Sequence, residues 1–361
     1  MVALEDDIGR VADQALPVTR IPLRAAIFLA VMVVTALGCA ALTLLIPDGR
    51  YLRYQQLTDT IQYRSLWIYE RLHFDPTPID IAVVGPSRIG SSINTLLLEK
   101  LLAERGFPNI HAVNFSLPQS GFDLAYVLSK EVLRTKHPKV LIENAIDQMP
   151  RRGHPAFKDL GDVADVVAAT KLVNVDYFVD LLKLPFRQIK LAIVAIAPEF
   201  FGYRSKFDPT RYAGSNIDTT VNELLPDGHV VDHMTVHSEA TIQRDFERFS
   251  SGMKPPVLGG SIQDYEFAVS CRAYENMAKA AKSFGSTMYI YYEPYYRGPE
   301  RPPEYEFYRQ LAPVILADQG KNDYRLFSDA RHKNHAGAAV LTALLADQLA
   351  ADWRSTGGAP K

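Results

Sequence analysis

Ile79-Asp80-Ile81-Ala82-Val83-Val84-Gly85-Pro86-Ser87 is the stretch whose reading decides the fold. Its short apolar, β-branched run has the composition of a buried strand, and Gly85-Pro86 ends it in a tight turn that carries a serine. Immediately upstream, Asp75-Pro76-Thr77-Pro78 stops any preceding helix, because the residue before each proline is pushed out of the helical region. Downstream, strand-like and helix-like runs alternate. A helical pattern over Ser91 to Arg105 leads to a strand over Ile110 to Leu117, a helix from about Phe122 to Lys136 and a third strand over Lys139 to Ile146. Late in the chain, helices are predicted over Ser261 to Phe284, Pro303 to Asp318 and Ala336 to Trp353, with strands at Thr287 to Tyr292 and Tyr324 to Phe327. This alternation predicts an α/β fold with a parallel sheet covered on both faces, whose site lies at the C-terminal ends of the strands.

Two stretches meet that positional requirement. Ser87 follows the first strand; Ser328-Asp329-Ala330-Arg331-His332-Lys333-Asn334-His335-Ala336-Gly337 follows the last. A serine hydroxyl is a poor nucleophile unless a base lies within hydrogen-bond reach and a carboxylate orients that base. Asp329 and His332 supply both from one loop, although an Asp-x-x-His pair by itself also occurs as a helix cap or on a wet surface. Arg88, next to the serine, suits either an anionic or carbonyl group of a substrate or a plain helix start. His335 reads as a residue of a helix N-terminus.

The block Asp329-x-x-His332-x-Asn334-x-x-Gly337, leading into a helix, resembles the last sequence block of the SGNH (GDSL-like) hydrolase superfamily, and Val83-Val84-Gly85-Pro86-Ser87 resembles its first. The resemblance covers the first and last thirds of the domain. It implies a three-layer, flavodoxin-like parallel sheet with Ser87 as nucleophile, His332 as general base and Asp329 as the carboxylate behind it. It also implies an oxyanion hole built from the Ser87 N–H, a glycine N–H after the second strand and an Asn side chain after the third. Gly121 is the glycine available. After the third strand the chain reads Glu143-Asn144-Ala145-Ile146-Asp147-Gln148, so Asn144 falls early, Gln148 near the expected place, and the Asp147 carboxylate would repel an oxyanion unless turned away. Within the superfamily, the Gly-x-Ser-Arg form and a membrane-anchored first helix resemble proteins of envelope polysaccharide modification, including relatives of those for teichoic-acid D-alanylation and alginate O-acetylation.

Ala25 to Ile46 is an uncharged run of 22 residues flanked by Arg20 and Arg24 on one side and Asp48 and Arg50 on the other. That length spans a bilayer as a helix. The run stays apolar up to Pro47, unlike a cleaved signal peptide, and its flanking arginines favour a cytoplasmic N-terminus. Cys39 reads as one more small residue of that helix rather than a lipidation site. Seven segments are expected: a cytoplasmic stretch 1–24, a signal-anchor 25–46, an amphipathic juxtamembrane helix within 47–78, the first part of the catalytic domain 79–149, an insertion forming a cap 150–260, the second part 261–354 and a disordered tail 355–361. The insertion is inferred because about 110 residues separate the third strand from the next helix, far beyond an ordinary crossover.

Composition narrows the classes. With 47% hydrophobic residues in 361, the chain fills a sizeable core, and 39 Lys+Arg against 41 Asp+Glu leaves no field to gather nucleic acid. Two cysteines, Cys39 and Cys271, exclude a disulfide framework. His229, His233 and His237 recur every fourth residue, but Pro226-Asp227-Gly228 ahead of them reads as a turn and their neighbours as extended chain, which spreads them too far for one ion. No metal or cofactor is expected. Tyr289, Tyr291, Tyr292, Tyr295 and Tyr296 read as strand core and rim, or as a stacking surface for sugars.

The expected function is a single-pass protein of the inner membrane whose extracytoplasmic domain is a serine esterase or O-acyltransferase, of acetyl groups above all, acting on an envelope or secreted polysaccharide. As a transferase it would depend on a multi-pass membrane acyl-donor protein. The alternative is a catalytically silent polysaccharide-binding subunit of an export complex with the same fold; a lipid esterase ranks below both.

Overall fold

The computed structural model describes residues 22–170, 174–259 and 262–357 of the chain. It divides into two units, 1–46 and 47–361. In the first, α1 (Leu23–Thr43) carries no charge beyond Arg24 and none of its side chains is buried; it is long and apolar enough to cross a membrane. Residues 1–21 of the expected 1–24 segment lie outside the described residues, as do residues 358–361 of the expected tail. Ser355 closes the last helix and Gly357 the turn after it, so residues 355–357 of the expected tail belong to that helix and turn.

In the second unit, α2 (Arg50–Gln55) and α3 (Arg64–His73) replace the single juxtamembrane helix expected, and they belong to the same unit as the sheet. Then β1 (Ile81–Val84), α4 (Ser87–Ser92), α5 (Thr95–Glu104), β2 (Ala112–Asn114), α6 (Phe122–Lys136) and β3 (Val140–Ala145) follow in the anticipated alternation. The expected helix over Ser91 to Arg105 is broken where Asn94 leaves the helical region and caps α5, its side chain accepting from the Leu97 N–H.

The long connection contains α7 (Phe157–Leu160), α8 (Val163–Val167), α9 (Tyr177–Ile196), a small hairpin of β4 (Glu223–Leu224) and β5 (Val230–Val231), and α10 (Glu239–Gly252). The turn expected at Pro226-Asp227-Gly228 joins β4 to β5. The chain then returns through α11 (Gln263–Glu266), α12 (Ala268–Ser283), β6 (Thr287–Tyr292), α13 (Tyr305–Leu311), β7 (Val314–Leu316) and α14 (His335–Ser355).

The five long-range strands pair in parallel in the order β2-β1-β3-β6-β7. Counted by themselves they follow the doubly wound order 2-1-3-4-5. Alternate residues face opposite layers. Ile81, Val83, Val140, Ile142, Tyr289 and Tyr291 form one apolar cluster with Ile89 of α4, Leu98 and Leu102 of α5 and Leu341, Leu345 and Leu349 of α14. On the other face, α6 and α12 pack against each other and against β1 and β6 respectively. One sequence expectation fails here: the last strand is Val314–Leu316, inside the expected Pro303 to Asp318 helix, whereas Tyr324–Leu326 is a single 3₁₀ turn. Asp323 accepts from the Arg325 N–H and folds that apolar run into a turn rather than a strand.

Candidate active site

The sheet brings the two stretches together. Gly85 leaves β1 at φ 153°, where an added Cβ would stand 2.8 Å from the Asn144 Cβ; only glycine fits so close to β3. Pro86 then directs the chain into α4, so that Ser87 is its first residue and its N–H is among those with no intrahelical acceptor.

Across the cleft, a compact loop presents the other two residues. Phe327 and Lys333 form an isolated bridge, and the Ser328 N–H donates to the His332 carbonyl at 3.0 Å. Inside it, Asp329 Oδ1 accepts the N–H groups of Arg331 and His332 at 2.7 and 2.9 Å, while Oδ2 lies 2.8 Å from His332 Nδ1. His332 Nε2 lies 2.9 Å from the Ser87 hydroxyl oxygen. A carboxylate only accepts, so Nδ1 carries the proton of the neutral ring; Nε2 is therefore the acceptor and the Ser87 hydroxyl the donor. Partial desolvation opposes charge on Asp329, but the His332 ring and the two backbone N–H groups outweigh it and hold the carboxyl well below the usual range.

Asn334 and Gly337 explain the rest of that block. The Asn334 side chain caps α14 by accepting the Gly337 N–H at 2.9 Å and donates to the Arg325 carbonyl at 2.7 Å. A Cβ on Gly337 would stand 2.2 Å from the Leu326 carbonyl oxygen. The two residues thus clamp the base-bearing loop onto the helix behind it. His335 holds the insertion: its N–H donates to the His233 carbonyl at 2.8 Å, and its Nδ1 lies 3.1 Å from the Thr220 hydroxyl.

The other sequence candidates point elsewhere. Arg88 is buried and donates to Asp147 and to the Glu293 carbonyl, so it is a core cation rather than a substrate ligand. Asp147 is held there by Arg88 and by the Tyr292 hydroxyl at 2.7 Å. The Asn144 amide is buried and donates to the Tyr291 carbonyl and the Glu293 carboxyl. Gln148 donates to the Lys254 carbonyl at an exposed site. Gly121, at the start of α6, lines a crevice of about 10 Å³ with Gly85 and Pro86 rather than the cleft. Tyr289, Tyr291, Tyr292 and Tyr296 are buried core residues, and Tyr295 stacks on Phe246.

The cleft over Ser87 and His332 has a volume of about 420 Å³. Its far wall comes from the insertion and α3: Arg64, Glu223, His229, Asp232, His233 and His237 all line it. The Tyr63 hydroxyl donates to Glu223 at 2.8 Å, and Arg64 Nε lies 3.4 Å from the same carboxylate, which ties the β4–β5 hairpin to α3. The three histidines are therefore cleft wall. Burial and the nearby charge of His332 both disfavour protonation of His233. Among the described residues, no group of three His, Cys, Asp or Glu side chains converges as a metal site. Arg64 and Glu223 carry no local signal in the sequence; only the packing of the β4–β5 hairpin against α3 brings them here. His233 did stand out, through its periodic spacing.

Neither a scan against protein-family models nor a search of curated proteins returns a match to this chain.

Proposed function

We propose that this protein is a serine esterase or O-acyltransferase of the SGNH type, anchored to the inner membrane by α1, with its catalytic domain outside. The observation that carries the reading is the hydrogen-bonded series Ser87, His332, Asp329 at the mouth of an open cleft beside the C-terminal ends of parallel strands. Ser87 Oγ attacks an ester carbonyl as its proton passes to His332 Nε2, and Asp329 stabilises the imidazolium that forms. The Ser87 N–H, which has no intrahelical acceptor at the start of α4, donates to the developing oxyanion. Collapse expels the alcohol, which takes the proton from His332, and leaves the acyl group on Ser87. Water or a sugar hydroxyl, deprotonated in turn by His332, then removes it. The substrate is an acetylated envelope or secreted polysaccharide; in the transferase direction, the acyl group comes from a multi-pass membrane donor protein.

One observation favours a second reading, a polysaccharide-binding subunit with little activity: the Asn144 amide is committed to Tyr291 and Glu293, leaving no side-chain oxyanion donor from β3. Purified full-length protein given a chromogenic acetyl ester, with and without an acceptor oligosaccharide, separates the two. The enzyme reading predicts ester turnover that Ser87→Ala abolishes, with acetate in water and acetylated sugar when acceptor is present. Turnover equal in the wild type and Ser87→Ala supports the binding subunit.

A further inference from the structure

The longest helix of the insertion exposes what a helix of its kind normally buries. In α9, Phe178, Leu182, Phe186, Ile189, Ile193 and Ile196 recur every three or four residues along one face, and each is exposed, from 43% at Ile189 to 84% at Ile196. The opposite face is fully used: Leu184, Arg187, Gln188, Leu191 and Val194 are buried. Lys183 and Lys190, seven residues apart, flank the apolar stripe on one side. At 1.5 Å per residue, the helix presents a continuous apolar strip about 30 Å long. Phe200, four residues past the helix end, is 84% exposed as well.

We propose that this strip lies in the surface of the bilayer, with α9 parallel to the membrane plane and its flanking lysines at the headgroups. The pattern of one apolar face edged by lysines is that of an interfacial helix. The chain itself supplies the argument for lipid over any other cover. Only six residues separate the end of α1 at Thr43 from Arg50 of α2, a contour of at most about 25 Å. Leu52 of α2 packs against Leu191 and Val194 of α9, and Arg187 of α9 approaches Asp48 to 3.8 Å. The helix with the exposed strip is thus fastened to the very segment that a membrane-spanning α1 holds at the bilayer. This inference rests on α1 being a membrane anchor.

The test uses full-length protein in vesicles of phosphatidylethanolamine and phosphatidylglycerol, in a Cys39→Ser, Cys271→Ser background. Single environment-sensitive fluorophores are attached at Phe186→Cys, at Val34→Cys in α1 and at Asp347→Cys on α14. Spin-labelled lipid should quench the Phe186 probe roughly threefold more than the Asp347 probe, and aqueous iodide roughly threefold less. A Phe186 probe open to iodide, or shielded from both quenchers by a second copy or another protein, overturns the proposal. The Val34 probe reports on the anchor separately: without lipid quenching there, α1 is not in the bilayer, whatever the Phe186 probe reads.

Discussion

His332 Nδ1 and Asp329 Oδ2 stand 2.8 Å apart within a single turn of chain, and the same carboxylate closes that turn through the N–H groups of Arg331 and His332. One side chain therefore both shapes the loop and fixes the tautomer of the base. Asp329→Asn keeps an acceptor for the backbone but lets the ring adopt the other tautomer. It should lower kcat/KM for an acetyl ester on the order of 10³–10⁴-fold, as expected for a Ser-His-Asp relay. Its melting temperature should move far less than its activity, which thermal denaturation beside the kinetics will check.

His233 lines the same cleft, buried, and the charge of His332 is one cause of its reluctance to protonate. A permanent cation there should oppose the imidazolium formed during acylation. His233→Lys should reduce kcat roughly 10- to 100-fold, while His233→Gln, neutral and similar in size, should retain most of it. Steady-state kinetics on the two variants, with circular dichroism to confirm folding, make the comparison.

Asn334 serves the helix and the loop together. Asn334→Ala removes the cap of α14 and leaves the Arg325 carbonyl without its donor, at a cost of about 1–3 kcal/mol in unfolding free energy. Gly337→Ala should cost more, since its methyl would overlap the Leu326 carbonyl at 2.2 Å. Denaturant unfolding of both variants tests the ranking.

Glu143 sits fully buried in β3, with the Ser129 hydroxyl as donor to one oxygen and burial pushing its pKa well above 4.5. A carboxyl raised in the folded state binds its proton more tightly there than in the unfolded chain. Its contribution is present below about pH 4.5 and is lost as pH rises toward the folded value. Glu143→Gln keeps the acceptor and cannot ionise. It should match the wild type near pH 4 and be the more stable of the two at pH 8. Equal pH dependence for the two proteins would contradict a protonated Glu143.

The parts of the fold that local chemistry determines were legible in the sequence. β1, β3 and β6 are apolar runs bounded by turn residues, and the alternation with helices implied their parallel pairing. β7 escaped because it is three residues long, lies behind Pro313 at the sheet edge, and continues the apolar spacing of α13. Ser87, Asp329 and His332, singled out by their turns, their spacing and the family resemblance, do come within hydrogen-bond reach of one another. Arg88 misled, since an arginine after a serine suggests exposure, and only the buried acceptors Asp147 and Glu293 make it a core residue. Arg64 of α3 and Glu223 of the insertion meet at the cleft through long-range packing, which no short-range pattern encodes.

The most direct test of the relay is covalent labelling of the full-length protein by a fluorophosphonate, read by intact mass and peptide mapping. The geometry predicts a single adduct on Ser87, formed at a rate that His332→Ala cuts at least about 100-fold and that Ser87→Ala removes entirely. A wild-type protein that stays unlabelled, or one labelled equally well after His332→Ala, would contradict it.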